Sequence, residues 1–113
     1  MWPSPKIVAH RGGGTLAPEN TLAALRKGAA LGFRAVEFDV MAVRDDQLVL
    51  MHDDLLGRTV AGSGSVGALS AAELHAMDAG SWFSAEFTGE PVPSFEEVAR
   101  YCLAAGLFMN VEI

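Results

Sequence analysis

The sequence predicts an α/β fold in which short buried strands alternate with helices. Two observations support this prediction. Apolar residues form a short run, then recur at helical spacing, and then alternate at period two within about the first forty positions. Histidine, arginine and carboxylate side chains lie in or directly after the strands. Because a strand, helix, strand order favours a parallel pair with a right-handed crossover, we expect reactive side chains at the strand ends.

The length and composition limit the class of protein. A chain of 113 residues is long enough for one domain, and two are not expected. The net charge of −6, from 8 Lys and Arg against 14 Asp and Glu, disfavours nucleic acid and anionic membrane surfaces as partners. A small anionic substrate would need a local cation, and a bound metal would supply one.

No segment of the sequence predicts export or membrane insertion. The amino terminus does not resemble a signal peptide, and no stretch approaches the ~18 consecutive apolar residues of a membrane-spanning helix. The single Cys102 cannot form an internal disulfide, and we expect it to be buried in a helix rather than reactive. A cytoplasmic protein is therefore the expectation.

The first predicted elements are a strand and a helix. Residues 7–9 form an apolar run that ends at His10, and the glycines after it allow a sharp turn. From about Asn20 to Leu31 the apolar positions recur at helical spacing. Asn20 or Thr21 is available as the amino-terminal cap, and Gly32 can end the helix.

The next segments return to strand patterns. Residues 34–40 alternate at period two, and residues 48–51 form a further apolar strand after the polar turn at 44–47. Residues 55–67 are rich in Gly, Ser and Thr, which predicts a loop.

Two later helices begin with a capping box, in which a Ser side chain accepts from the third helical amide and a Glu side chain reaches back. This pattern predicts a short helix over 70–77 and a longer helix over 94–105, with Gly106 as its terminator. An apolar strand follows from Leu107. The aromatic segment 78–83 interrupts the strand and helix pattern between the two helices.

Carboxylates in the strands are candidates for metal ligands. Residues two apart in a strand point to the same face, so Glu37 and Asp39 project together. Their mutual repulsion is relieved by a cation, and hard oxygen ligands suit Mg²⁺ or Ca²⁺. Glu112, in the next parallel strand, could supply a third carboxylate. Any one of these residues could simply face solvent, but together, in otherwise apolar strands, they favour a site.

Two histidines are candidates for acid-base chemistry. His10 and His52 each follow a buried strand, and the unperturbed pKa of histidine, near ~6.5, suits proton transfer at neutral pH. A lone histidine is more often structural, but two at matching strand ends favour a joint role. His75 lies in a short helix and is expected to be a surface residue.

Polar residues between the first strand and helix are candidates for phosphate binding. The guanidinium of Arg11 suits a phosphate bidentately, and it could equally form a salt bridge to Glu19. Glu19 could be a metal ligand or could hold Arg11 or His10. On local grounds Asn20 and Thr21 are ordinary helix caps.

These residues resemble a known family, the glycerophosphodiester phosphodiesterases. The matching segments occur in that family's order across essentially the whole chain: 10–12, 18–21, 37–40, 52–53, 58–59, 78–83 and 110–113. The resemblance implies a TIM-type (β/α)8 barrel that hydrolyses glycerophosphodiesters, such as glycerophosphocholine, to sn-glycerol 3-phosphate and an alcohol.

The resemblance also implies roles for the candidate residues. Glu37, Asp39 and Glu112 would be the ligands of one divalent cation, Mg²⁺ or Ca²⁺. His10 and His52 would be the acid-base pair. Arg11 and Glu19 would support the phosphate and the metal.

The length implies that the chain is the amino-terminal part of one barrel domain. A barrel of this type needs ~250 residues, and only about three β/α units, with the family's insertion at about 53–93, are present. We therefore expect residues 1–113 to belong to a larger protein, or to pair as a homodimer. Two alternatives stay open: a phospholipase-type enzyme acting on lysophospholipids, and a catalytically inactive fragment that binds metal or self-associates.

Overall fold

A computed structural model of the chain describes residues 8–113. Within this range the helices and strands are α1 (Leu22–Ala30), β1 (Ala35–Ala42), β2 (Leu48–Leu50), α2 (Ala71–His75), α3 (Phe95–Ala105) and β3 (Phe108–Glu112). Short 3₁₀ turns lie at His10–Gly12, Val66–Ala68 and Ala85–Phe87. No helix in the described range is long and apolar enough to cross a membrane.

The strands form one sheet in the order β2-β1-β3. Strands β1 and β3 are parallel, in a register that runs from Ala35 opposite Phe108 to Asp39 opposite Glu112. Strand β2 pairs with β1 in the antiparallel direction, with Val40 opposite Leu50. The predicted strand at 48–51 is therefore the return arm of a hairpin, because its connection to β1 is too short for a crossover.

The predicted strand at residues 7–9 lies partly outside the described residues, which begin at position 8. Ala9 forms an isolated parallel bridge with Val36. Its N–H donates to the carbonyl of Ala35 at 3.0 Å, and its carbonyl accepts from the N–H of Glu37 at 2.9 Å. The segment before His10 therefore runs beside β1 in the predicted parallel direction.

Helix α1 begins where the sequence predicts, with Thr21 as its cap. The Thr21 hydroxyl accepts from the Ala24 N–H at 3.1 Å and donates to the Pro18 carbonyl at 2.8 Å. Asn20 is not the cap, because its backbone takes the left-handed conformation, with φ of 56°. Its side chain is therefore free to bond elsewhere.

Both predicted capping boxes are confirmed. Ser70 accepts from the Glu73 N–H at 3.1 Å, and Glu73 accepts from the Ser70 N–H at 2.9 Å. Ser94 and Glu97 make the same pair at 3.2 and 2.9 Å. Gly106 ends α3 with a φ of 71°, the left-handed conformation typical of a helix terminus.

Two apolar clusters form the core. The first joins α1, β1 and α3, and it includes Phe38, whose ring lies 6.1 Å from that of Phe95. The second joins β2 to the segment that follows it, through buried residues such as Val60 and Leu74. The segment between β2 and α3 is thus held to the sheet by its own apolar contacts. Cys102 lies in the first cluster, and burial raises the pKa of its thiol to about 11.

Candidate active site

The turn after Ala9 is fixed against both β1 and α1. The Arg11 N–H donates to Glu37 Oε1 at 3.1 Å, and the Arg11 carbonyl accepts from the Asn20 N–H at 2.8 Å. Gly28 of α1 allows the close approach, because a Cβ there would lie 2.5 Å from the Gly12 carbonyl oxygen. Arg11 has a φ of 53°, a conformation that costs a non-glycine residue ~1–3 kcal/mol. The surrounding bonds offset that strain and set the direction of the Arg11 side chain.

The Arg11 guanidinium lies between acidic residues of two segments. Its Nη1 donates to Glu19 Oε1 at 3.0 Å, and its Nε lies 3.7 Å from Asp39 Oδ2. The expected salt bridge to Glu19 is therefore confirmed. Nε is buried and has no hydrogen-bond partner among residues 8–113. Nη2 makes no hydrogen bond within the same residues and is not buried, so this donor of Arg11 is available for a ligand.

Asp39 is held by Asn20, a partnership that the sequence did not predict. Asn20 Nδ2 donates to Asp39 Oδ2 at 3.0 Å, and Asn20 Oδ1 accepts from the Asp39 N–H at 3.0 Å. Asn20 is only 4% exposed. A helix cap can be exposed to solvent, so the burial of Asn20 reflects its two bonds to Asp39. These bonds position the Asp39 carboxylate.

The register of β1 and β3 places four polar residues on neighbouring strands. Asp39 lies opposite Glu112, and Glu37 lies opposite Asn110. Side chains at paired positions share a face of the sheet, so Asn110 joins the three predicted carboxylates. Asn110 was not among the predicted site residues, and its only signal in the sequence was its place in the matching segment 110–113.

The donor chemistry at these positions fits a hard divalent cation. Glu37 Oε2 and Asp39 Oδ1 accept no hydrogen bond from residues 8–113, while the other oxygen of each carboxylate is bonded. Carboxylate oxygens of this kind suit Mg²⁺ or Ca²⁺. In the described part of the chain, however, no three His, Cys, Asp or Glu side chains are close enough to hold an ion. The set of Glu37, Asp39 and Glu112 as ligands therefore stays a prediction.

The two predicted histidines have different surroundings. His10 is 70% exposed, and its Nε2 lies 3.7 Å from Glu37 Oε1. His52 follows β2, and its Nδ1 lies 2.8 Å from Asp53 Oδ1. The Met51 N–H, just before His52, donates to the Asp39 carbonyl at 3.0 Å. His10 thus lies near a carboxylate of β1, whereas His52 contacts Asp53 and follows a residue that is bonded to the β1 backbone. His75 is half exposed, as expected, and lies 3.4 Å from Glu97.

Arg58, like Asn20 and Asn110, is a residue that the sequence did not assign to the site. Its guanidinium binds Glu19 through two hydrogen bonds of 2.8 and 2.9 Å, and Asp53 through two of 2.8 and 3.0 Å. Glu19 lies 39 residues away, so no local pattern links the pair. The only available signal was its place in the matching segment 58–59.

These ion pairs shift the protonation of the acidic residues. Hydrogen bonds from Arg58 and then from His52 hold the pKa of Asp53 well below its usual range. Burial acts to raise the pKa of Glu19, but the hydrogen bonds and charges of Arg58 and Arg11 outweigh it and lower that pKa. Both carboxylates are therefore ionised at neutral pH.

An open cavity of about 410 Å³ lies beside these residues. His10, Arg11 and Glu19 line its polar side, and Trp82 and Phe83 line its aromatic side. The interrupting segment 78–83 thus reaches the predicted catalytic residues. His52 does not line this cavity, so the described residues do not bring both histidines to it.

The aromatic side of the cavity is fixed by a compact turn. Asp78 accepts from the N–H groups of Gly80 and Ser81 at 2.9 and 3.0 Å, and these bonds lower its pKa to about 2. Gly80 is needed there, because a Cβ would lie 2.0 Å from the Phe87 carbonyl oxygen. Trp82 Nε1 donates to the Ala79 carbonyl at 2.9 Å. The indole direction is therefore set by the turn.

A second contact ties this segment to α1. Glu90 Oε2 accepts from the Ala23 N–H in the first turn of α1 at 3.0 Å, and the Glu90 carbonyl accepts from the Ala79 N–H at 2.7 Å. An anion is favoured at a helix amino terminus, where amide groups lack helical partners. The contact therefore fixes the aromatic residues relative to the turn at Arg11.

Comparison with known proteins identifies the family. The profile of the glycerophosphoryl diester phosphodiesterase family matches residues 10–113. The chain belongs to this family. The expected resemblance is confirmed, and the homologues named below are phosphoric diester hydrolases.

Among solved structures of similar chains, an Oleispira antarctica phosphodiesterase in complex with the product sn-glycerol-3-phosphate has a TM-score of 0.91 at 40% identity. That match covers 96% of this chain and 44% of the other. A glycerophosphodiester phosphodiesterase from Agrobacterium tumefaciens has a TM-score of 0.86 at 36% identity, with 94% and 46% covered. The curated glycerophosphodiester phosphodiesterase of Caldanaerobacter subterraneus is 36% identical over 107 residues, with 95% and 44% covered.

The present chain spans a little under half the length of these relatives. The structural neighbours are TIM-barrel proteins of the glycerophosphoryl diester phosphodiesterase family, and the present chain forms a partial sheet with helices. The family is in general dependent on a divalent metal. The free carboxylate oxygens on β1 agree with that requirement.

Proposed function

We propose that the protein carrying this chain hydrolyses glycerophosphodiesters to sn-glycerol 3-phosphate and an alcohol. The observation that supports this most is the cavity in which Arg11 and His10 face Trp82 and Phe83. A guanidinium binds phosphate oxygens, and an aromatic wall packs against the carbon atoms of a small polyol. The product found in the Oleispira antarctica neighbour combines these two groups.

Arg11 binds the phosphoryl group in this proposal. Its Nη1 is held by Glu19, and its Nη2, which makes no hydrogen bond within residues 8–113, is free to donate to a phosphoryl oxygen. Charge on the phosphoryl oxygens grows during the displacement, so a donor fixed in advance stabilises the transition state. Glu37, Asp39 and Glu112 would hold one Mg²⁺ or Ca²⁺, which supplies further neutralisation of that charge.

His10 and His52 transfer the protons. One takes a proton from the attacking oxygen, which belongs either to water or to the glycerol 2-hydroxyl of the substrate. The other gives a proton to the oxygen of the departing alcohol as its bond to phosphorus breaks. Attack by the 2-hydroxyl gives a cyclic phosphate, which water then opens. The assignment of acid and base to the two histidines is left open.

The segment at about 53–93 covers the glycerol end of the pocket in this proposal. Trp82 and Phe83 belong to it, and their rings pack edge to face with centroids 5.7 Å apart. Glu90 holds the segment on α1 through the Ala23 N–H. Residues 1–113 would thus be the amino-terminal part of a single barrel domain that contains both the reactive side chains and a wall of the pocket.

The proposed function is tested with the full-length protein and glycerophosphocholine. Release of sn-glycerol 3-phosphate is measured by a coupled dehydrogenase assay, with Mg²⁺, with Ca²⁺ and with a chelator. We expect His10→Ala to lower the rate by about 10²–10⁴, the usual contribution of one acid-base group. His75→Ala is the matched control, because His75 lies on α2 and pairs with Glu97 of α3. Full activity of His10→Ala, or full activity in chelator, contradicts the proposal.

One observation favours a second substrate class. Trp82 is 40% exposed and lines the cavity, and such apolar surface would suit an acyl chain. A phospholipase-type activity on lysophospholipids is therefore the second candidate. Comparison of glycerophosphocholine with micellar lysophosphatidylcholine separates the two, since only the second candidate predicts preference for the micellar substrate.

A non-catalytic role is the third candidate. Leu103 on α3 is 73% exposed, and exposed apolar surface favours association between chains. Residues 1–113 alone would then form an inactive homodimer. Sedimentation of this segment together with the activity assay distinguishes the candidates, because a monomer in solution contradicts self-association.

A further inference from the structure

We propose that Arg58 is a positioning residue that connects the two halves of the active site. Through Asp53 it sets the orientation and tautomer of His52, and through Glu19 it sets the direction of Arg11. This inference rests on the proposed function for its effect on rate, but its structural part is tested independently.

The Arg58 guanidinium binds two carboxylates at once. Nε and Nη2 of Arg58 donate to the two oxygens of Asp53 at 2.8 and 3.0 Å, while Nη1 and Nη2 donate to the two oxygens of Glu19 at 2.9 and 2.8 Å. Both carboxylates are therefore bound through two oxygens. This double fork requires the planar guanidinium, and a lysine ammonium cannot reproduce it.

Asp53, which Arg58 binds, also contacts His52. The Asp53 oxygen that lies 3.0 Å from Arg58 Nη2 also lies 2.8 Å from His52 Nδ1. A carboxylate only accepts, so this contact places the proton of neutral His52 on Nδ1 and leaves Nε2 free to react. Asp53 is partly exposed, and Arg58 keeps it ionised and correctly turned.

Arg58 and Arg11 both bind Glu19. Its Oε1 accepts from Arg11 Nη1 at 3.0 Å and from Arg58 Nη1 at 2.9 Å. Two cations thus share one partly buried carboxylate. If Arg58 were absent, the whole charge of Glu19 would face Arg11 and weaken its attraction for a phosphate. Arg58 therefore leaves part of the Arg11 charge available to the substrate.

The loop that carries Arg58 is built to hold it in place. The Gly57 N–H donates to the Val60 carbonyl at 2.8 Å, which closes a tight turn around Arg58. Thr59 and Val60 are buried, so the turn is anchored in the second apolar cluster. A surface ion pair with a purely local role would not need this support.

The test uses the full-length protein with ¹⁵N-labelled histidine. Long-range ¹H–¹⁵N spectra at pH 8 report the tautomer of His52, assigned by comparison with His52→Gln. We expect the Nδ1–H form to dominate in the wild type and to give way to a mixture in Arg58→Ala. Arg58→Lys should be intermediate, and it serves as the test if Arg58→Ala does not fold. Arg44→Ala is the matched control, because it removes an exposed arginine from a pair with Glu73.

The kinetic arm measures kcat and KM on glycerophosphocholine. We expect kcat of Arg58→Ala to fall about ten- to a hundredfold, the usual effect of a residue that orients a functional group. An unchanged His52 tautomer overturns the proposal, as does a changed tautomer with unchanged kcat. If the wild type does not hydrolyse the diester, the proposed function fails, and the tautomer ratio alone then decides the role of Arg58.

Discussion

The pair of Asn20 and Asp39 offers a quantitative test of how the site is held. Asn20→Gly removes both side-chain hydrogen bonds and keeps a backbone that accepts a φ of 56°. The bond from Asn20 Nδ2 to the Asp39 carboxylate is worth about 1.5–3 kcal/mol. The bond from the Asp39 N–H to Asn20 Oδ1 is worth about 0.5–1.5 kcal/mol. We therefore expect the free energy of unfolding to fall by about 2–4.5 kcal/mol.

A second substitution separates backbone strain from the hydrogen bonds. Asn20→Ala loses the same two bonds, and it also places a Cβ in the left-handed region, which costs about 1–2 kcal/mol for an ordinary residue. Asn20→Ala should therefore be less stable than Asn20→Gly by about 1 kcal/mol. Both variants lack the amide, so the difference is the strain of the Cβ less the extra backbone entropy, about 0.4–1 kcal/mol, that glycine loses on folding.

The assay is urea unfolding of the full-length protein, followed by circular dichroism and tryptophan fluorescence. Asp46 is the control position, because it has a φ of 61°, is exposed, and its side chain makes no hydrogen bond within the described range. Asp46→Gly should change the free energy of unfolding by less than about 0.5 kcal/mol. A loss below about 1 kcal/mol in Asn20→Gly would refute the conclusion that Asn20 holds Asp39.

Two further predictions concern the segment between β2 and α3 and the core. Glu90→Ala removes the acceptor of the Ala23 N–H, so we expect a loss of about 1 kcal/mol in unfolding free energy and a raised KM, with Glu86→Ala as the exposed control. The pKa of the Cys102 thiol is raised from 9.0 to about 11, so the stability it contributes is fully present below about pH 9 and is lost as pH rises through about 11. Urea unfolding at pH 8 and pH 10 should show this loss in the wild type and not in Cys102→Ala, and equal losses in both would contradict it.

Local signals in the sequence predicted the local parts of the fold. The Ser70 and Ser94 capping boxes lie within four-residue segments, and each pair of partners is set by helix geometry alone. The parallel direction of β1 relative to β3 and to Ala9 also followed from the order of elements. The short return strand β2 was found, but its antiparallel pairing depends on hydrogen bonding across a turn.

The site was predictable where chemistry and position coincided. Arg11 and Glu19 are charged, lie close in sequence, and form the expected ion pair. Local spacing marked Asn20 only as a possible helix cap. Its partner Asp39 lies 19 residues away on a strand, so no local pattern links the two residues. Arg58 was not assigned a role because its partner Glu19 lies 39 residues away, across a loop without periodic pattern. Contacts over such distances are set by tertiary packing, which composition and spacing do not encode.

Strand β1 lies between β2 and β3 and pairs with each of them through a different part of its length. Up to Asp39 it pairs with β3, and from Val40 onward it pairs with β2. The carboxylates therefore belong to one half of the strand, and the hairpin that leads to Trp82 hangs from the other half. Because the two pairings use different residues of β1, the hairpin and the aromatic segment after it can change in length or sequence without a shift in the register of Glu37 and Asp39. Under the proposed function, such changes would alter a wall of the pocket and leave the pairing that positions both carboxylates intact.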